Sequence, residues 1–234
     1  MRQIRAPFLL VNPKSYLYGK QSLDLAMAAD GAAEKYGIDI FFTCPFSDLR
    51  MIKEHTKHLI LTAQHMDSLV PGRGMGYVLP EALKDAGVEA VFLNHAEHPL
   101  TVSQLYKTMQ RAGEMEIATI VCADSVAEGI ALSRLHPSVI LCEPTDLIGV
   151  GKIADDSYIR EATEQIRKES PDVLVVIASS ITTGDDVRKV IGMGADGTGA
   201  TSGIIKAPDP SARVYEMAEA AAEFKKENDR HENV

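Results

Sequence analysis

Eight short apolar runs, rich in β-branched residues, constrain the fold more than any other feature of this chain. They lie at 7–12, 39–44, 58–64, 90–94, 118–123, 139–143, 173–179 and 197–201. Most are apolar throughout instead of alternating with polar residues, which is the pattern of strands covered on both faces. Between most of them the apolar residues recur at helical spacing, as in SLDLAMAADGAAEKYG, TVSQLYKTMQRAG and SYIREATEQIRKESP. Gly37 follows the first of these as a helix C-cap, and Pro80 suits the first turn of LPEALKDAG. Strand followed by helix, repeated along the chain, predicts a parallel sheet. The expected architecture is α/β, a single (β/α)8 TIM barrel spanning residues 1–234, with a short polar C-terminal tail at about 229–234. An open doubly wound sheet is the competing arrangement. The last run, GTGAT, is the least strand-like, because glycine is a poor strand former.

Composition narrows the partners. The net charge is −9, with no basic block, so nucleic acid is not expected and an anionic ligand needs a local positive site. Cys44, Cys122 and Cys142 are odd in number and far apart, which fits neither a disulfide framework nor a zinc spacing; no metal and no cofactor are expected. The apolar run near the N-terminus is too short for a signal peptide, and no stretch approaches the roughly 20 apolar residues of a membrane helix. A cytoplasmic protein with no membrane partner is the expectation.

In a barrel of this kind chemistry collects at the C-terminal ends of the strands. Run one ends Asn12-Pro13-Lys14, run four Asn94-His95-Ala96-Glu97, and run six Glu143-Pro144. Runs seven and eight lead into small polar loops containing Ser180 and Thr201-Ser202, where backbone N–H groups can face an anion. Each feature alone has a plainer reading. A histidine after an apolar run is more often a hydrogen-bonded structural residue, and a lysine there is usually a solvated charge. A carboxylate beside an apolar run is costly unless paired or used. An amine, an imidazole and a carboxyl group together at predicted strand ends point to acid–base chemistry on a small anion.

The segments AQHMD (63–67), PGRGMGYVLPE (71–81), NHAEHPL (94–100), EPTDLIGVGK (143–152), ITTGDDV (181–187) and TSGIIKAPDP (201–210) carry more. With NPK (12–14), in this order, they resemble the triosephosphate isomerase family, and its shorter archaeal-type members in particular. The resemblance implies an aldose–ketose isomerase of glycolysis and gluconeogenesis, interconverting D-glyceraldehyde 3-phosphate and dihydroxyacetone phosphate through an enediolate. It implies Glu143 as base, His95 as neutral electrophile, Lys14 and Asn12 as substrate-oriented cation and amide, and Glu97 as a supporting group. Ile148, Gly149, Ser180, Thr201 and Ser202 would hold the phosphate, with 143–152 as a closing lid. The 65–81 loop would reach a neighbouring subunit, giving a homodimer or homotetramer.

Several positions depart from the family pattern: Ala96 where serine is usual, Met75 and Val150 where threonine is, Ala178-Ser179-Ser180 where glycines are common, and Pro13. They leave two alternatives open: an isomerase of a larger phosphorylated ketose such as a tetrulose phosphate, and a sugar-phosphate-binding barrel without turnover.

Overall fold

The computed structural model describes residues 2–144, 155–178 and 180–231, with side chains as far as Lys225. In chain order the elements are β1 (Phe8–Val11), α1 (Gly19–Tyr36), β2 (Asp39–Cys44), α2 (Leu49–His55), β3 (Ile60–Ala63), α3 (Pro80–Asp85), β4 (Ala90–Leu93), α4 (Val102–Glu114), β5 (Ala118–Ala123), α5 (Val126–Ser133), β6 (Val139–Cys142), α6 (Asp156–Glu169), β7 (Leu174–Ile177), α7 (Gly184–Gly192), β8 (Gly197–Ala200), α8 (Ser202–Ile205) and α9 (Pro210–His231). The eight strands close in sequence order, and β1 pairs in parallel with β8 from Phe8↔Gly197 to Val11↔Ala200. That last pairing rules out the open sheet.

Alternation along each strand explains the solid apolar runs. Phe8, Leu10, Phe41, Ile60, Phe92 and Val176 point into the barrel, where Phe8 meets Phe41 edge to face at 5.2 Å. Leu9, Val11, Ile40, Phe42, Val121 and Ile140 point outward under the helices. Neither face is wet, so both are mostly apolar, and the polar strand residues Asp39, Thr43, Thr62, Thr119 and Thr198 are buried.

The glycines of β8 have a packing reason. A Cβ on Gly197 would stand 2.6 Å from the Phe8 ring, and one on Gly199 would stand 2.6 Å from the Leu10 carbonyl oxygen. Poor strand propensity is outweighed by the close approach of β1.

Helix ends follow the local chemistry. Gly37 caps α1 at φ 63° with its N–H on Ala33, Pro80 opens α3, and Thr101 with Gln104 forms a capping box on α4. Two differences from expectation appear. Residues 49–55 form α2, a single short amphipathic helix anchored by buried Leu49 and Ile52. The backbone of α9 is helical to His231, so the polar stretch that begins at Asp229 starts as helix rather than as tail; nothing helix-breaking precedes it. At the end of the barrel away from the strand C-termini, the buried Asp39 carboxylate is gripped by Arg2 at 3.2 Å and Arg5 at 2.8 Å. Burial pushes its proton affinity up, but the hydrogen bonds and charge of Arg5, with Arg2, hold it below the usual carboxylate range. Among the described residues no helix is long and apolar enough to cross a membrane, and no group of three His, Cys, Asp or Glu side chains is placed to hold a metal ion.

Candidate active site

The chain leaves β1 through Asn12 and Pro13 and turns left-handed at Lys14, φ 49°. Both peptide groups of Lys14 are tied: its N–H donates to Asn12 Oδ1 (2.9 Å) and its carbonyl accepts from Gln64 Nε2 (2.9 Å). A lysine in this sparsely populated region persists only because such bonds over-determine it. The ammonium lies 2.6 Å from Glu97 Oε1, with the lysine side chain 16% exposed and the glutamate 65%.

After β4 the backbone is again left-handed, at Asn94 (φ 57°), and His95 follows. The Glu97 N–H donates to His95 Nδ1 at 3.1 Å, and the His98 N–H donates to the His95 carbonyl at 2.7 Å. An Nδ1 that accepts a hydrogen bond carries no proton, so the neutral ring has its N–H on Nε2. Burial, and then the Lys14 charge, lower the proton affinity of the imidazole; Glu97 opposes them. The ring is thus kept neutral below its ordinary range.

Glu143 leaves the end of β6 with its N–H on the Ala123 carbonyl at 3.0 Å. Burial is the main influence on its carboxyl group and raises its pKa to about 7; Glu97 adds to this and Lys14 opposes it. A carboxylate tuned to that value is half-ionised near neutral pH and able to take a proton from a weak carbon acid.

Asn12, Lys14, His95, Glu143 and Thr201 line one cavity of about 40 Å³, floored by Leu10, Phe92 and Leu141. An adjoining cavity of about 120 Å³ is lined by Lys14, Glu143, Ser180, Thr201 and Ser202. Lys14, Glu143 and Thr201 stand at the junction. Ser180 is left-handed at φ 51°, and Ser202 opens α8. Glu97 lies on a wider cavity of about 650 Å³ beside these, which also includes Lys14, His95, Gln64 and Tyr77. All the described candidate residues therefore gather at one mouth. Ile148 and Gly149, with the rest of 145–154, and Ser179 lie outside the described residues.

The loop between β3 and α3 is folded on itself by Asp67, whose N–H donates to the Val78 carbonyl and whose carboxylate accepts from the Val78 N–H at 2.7 Å. Arg111 on α4 donates to the Leu69 carbonyl and pairs with Glu81, and the His65 ring stacks on His98 at 4.0 Å. Met75 is fully exposed, and Val70 and Tyr77 are largely so.

Sequence reading missed Gln64 and Asn94. Both are polar residues closing an apolar strand, the signal that singled out Asn12 and His95; their use is visible only in the hydrogen bonds.

The profile of the family described as triosephosphate isomerase matches residues 7–221. A protein of Sulfolobus acidocaldarius named triosephosphate isomerase is 34% identical, over 93% of this chain and 96% of its own. One from Cenarchaeum symbiosum with the same name is 37% identical, over 92% and 98%, and one from Methanosarcina mazei is 31% identical, over 91% and 97%.

Proposed function

We infer that this chain, which belongs to the triosephosphate isomerase family, interconverts D-glyceraldehyde 3-phosphate and dihydroxyacetone phosphate by proton transfer. The observation that supports this most is the shared cavity of Asn12, Lys14, His95 and Glu143 at the C-terminal mouth of the barrel. Pairing a carboxylate base with a neutral imidazole is the standard illustration drawn from this same enzyme family.

In our reading the Glu143 carboxylate takes a proton from C1 of the ketose, and the electron pair moves onto the carbonyl oxygen to give the enediolate. His95 donates its Nε2–H to the oxygens on which charge develops, an interaction stronger in the transition state than before it. The proton of the C1 hydroxyl is relayed to O2 through the His95 Nε2 position, so that C1–O becomes the carbonyl, and the protonated Glu143 returns its proton to C2, giving the aldose. Lys14 offsets the negative charge of phosphate and enediolate, and the Asn12 side chain both braces the Lys14 turn and faces the substrate. Glu97 holds the ammonium in place. Ser180, Thr201 and Ser202 receive the phosphate in the adjoining cavity, together with Ile148 and Gly149 of the lid.

The same reading takes residues 1–234 as one barrel domain in the cytoplasm and the 65–81 loop as the contact between subunits. The fully exposed Met75 at the loop tip, and the wide cavity beside Lys14 and His95, support this reading of the contact. A sizing measurement with light scattering should give a dimer or tetramer, and Met75→Asp should shift it toward monomer. A wild-type protein that is monomeric at micromolar concentration would rule out this contact.

Purified protein should isomerise the triose phosphates without added metal or cofactor. Its kcat/KM should fall with acid as Glu143 is protonated, with a midpoint near 7, since the base must be ionised in the free enzyme. His95 adds no second step there because its proton affinity is lowered. Turnover at background would reject the function, and a profile flat from about pH 8 to about pH 5 would remove Glu143 from the base role.

A further inference from the structure

Asn94 is the residue in this mouth whose bonding exceeds what its position requires. An asparagine is one of the few residues that tolerates left-handed φ, so the turn at 57° alone is an ordinary reason for it. Its side chain, however, is bonded at both ends. Nδ2 donates to the Cys122 carbonyl at 3.0 Å and to Glu128 Oε1 at 3.2 Å, while Oδ1 accepts the Leu100 N–H at 3.0 Å.

Each partner is itself fixed. Cys122 lies in β5, one residue beyond the last rung of the β4–β5 ladder, Leu93↔Val121. As the backbone of β4 swings away, a side-chain amide satisfies the carbonyl there. Glu128, on α5, has its other oxygen on the Asp124 N–H at 2.8 Å. Leu100 stands at the far end of the loop that begins at Asn94. The amide therefore cinches 94–100 into a closed ring and ties that ring to β5 and α5. Inside the ring are the bonds that fix the imidazole: Glu97 N–H to His95 Nδ1, and His98 N–H to the His95 carbonyl.

We propose that Asn94 is a positioning residue for His95: through its three side-chain bonds it fixes where the imidazole Nε2–H stands in the cavity and preserves the Nδ1 acceptor tautomer. This rests on the role given to His95 above. A backbone-only role makes a different prediction, because glycine adopts the same φ without any side chain.

Asn94→Gly keeps the left-handed turn and deletes all three bonds. Asn94→Asp keeps the shape, the turn and the acceptor for Leu100, but replaces the donor by a carboxylate oxygen facing Glu128 and a carbonyl. Both should lower kcat at least about ten-fold with KM within about three-fold, the pattern of a misplaced group that acts in the transition state. The ¹⁵N signals of the His95 ring in the resting protein should move away from a single Nε2–H tautomer. Adding Glu128→Ala to Asn94→Gly should cost little more, since the bond is already gone.

Wild-type kcat and unshifted ring signals in Asn94→Gly would overturn the proposal. Should that variant lose thermal stability, Asn94→Asp at full stability decides by the same two readouts. The ring spectrum needs no turnover, so a wild-type protein without isomerase activity would defeat the functional reading while leaving the positioning claim to be judged by the spectrum.

Discussion

Glu143→Asp lowers kcat by about 10²–10³-fold, with KM little changed, in a protein that folds normally. The expectation follows from how the carboxylate is mounted. Its peptide N–H is bonded to Ala123 at the rim of the sheet, so the backbone cannot advance to make up for a side chain shorter by one methylene. The proton to be moved then lies about 1 Å farther away, and proton transfer is steep in distance. Steady-state kinetics with both trioses checks it; an unchanged rate would show that Glu143 does not contact the reacting carbon. Glu143→Gln sharpens the result by separating activity from stability. The folded pKa near 7 lies above the ordinary 4.5, so the fold favours the protonated form. Holding the charged form therefore costs stability above about pH 7, and the cost disappears below the ordinary value. The amide should be inactive yet more stable at pH 8, by on the order of 2 kcal/mol, with the gain fading toward pH 4. Melting curves at the two pH values test the sign.

Lys14→Met should reduce kcat/KM by more than about 10³-fold, mainly through lost affinity for the phosphorylated substrate. Among the described residues Lys14 is the one cation lining the small cavity shared with His95 and Glu143, and it also reaches the adjoining cavity, where Lys206 stands as a second cation. The substitution also has a second, measurable consequence. The Lys14 charge pulls down the proton affinity of both Glu143 and His95. Without it both should rise, so whatever activity remains should need a pH above 7 to free the base. Residual activity with an unmoved acid limb would show that the ammonium does not face Glu143 in solution, and normal inhibition by a phosphate analogue would refute its part in binding.

The barrel was legible because its strands are buried on both faces, which leaves continuous apolar runs, and because each run is punctuated at its C-terminal end. GTGAT could be placed only by counting, since its glycines answer to Phe8 and Leu10 on another strand, and that partnership is not written locally. Residues 49–55 were overlooked because two apolar anchors in a short helix make too weak a period. Asn12, Lys14, His95 and Glu143 stood out by type and position. Asn94 and Gln64 share that position at a strand end, but their roles rest on the backbone angle or carbonyl they satisfy, which depends on distant segments. Met75, where the chain departs from the family pattern, is fully exposed at the loop tip.

The pairing of Phe8 with Gly197 carries a consequence for biosynthesis. β1 is paired on one side by β2 but must wait for the synthesis of β8 before its other edge is covered. Until then an apolar, parallel-type edge is open to any neighbouring nascent chain. Closure also brings α9 against α1, where Lys225 donates to the Gly37 carbonyl, so the first and last helices of the barrel meet at one seam. Ribosome-bound fragments ending before residue 197 should accordingly remain sensitive to protease and adhere to one another, and protection should arrive in a single late step.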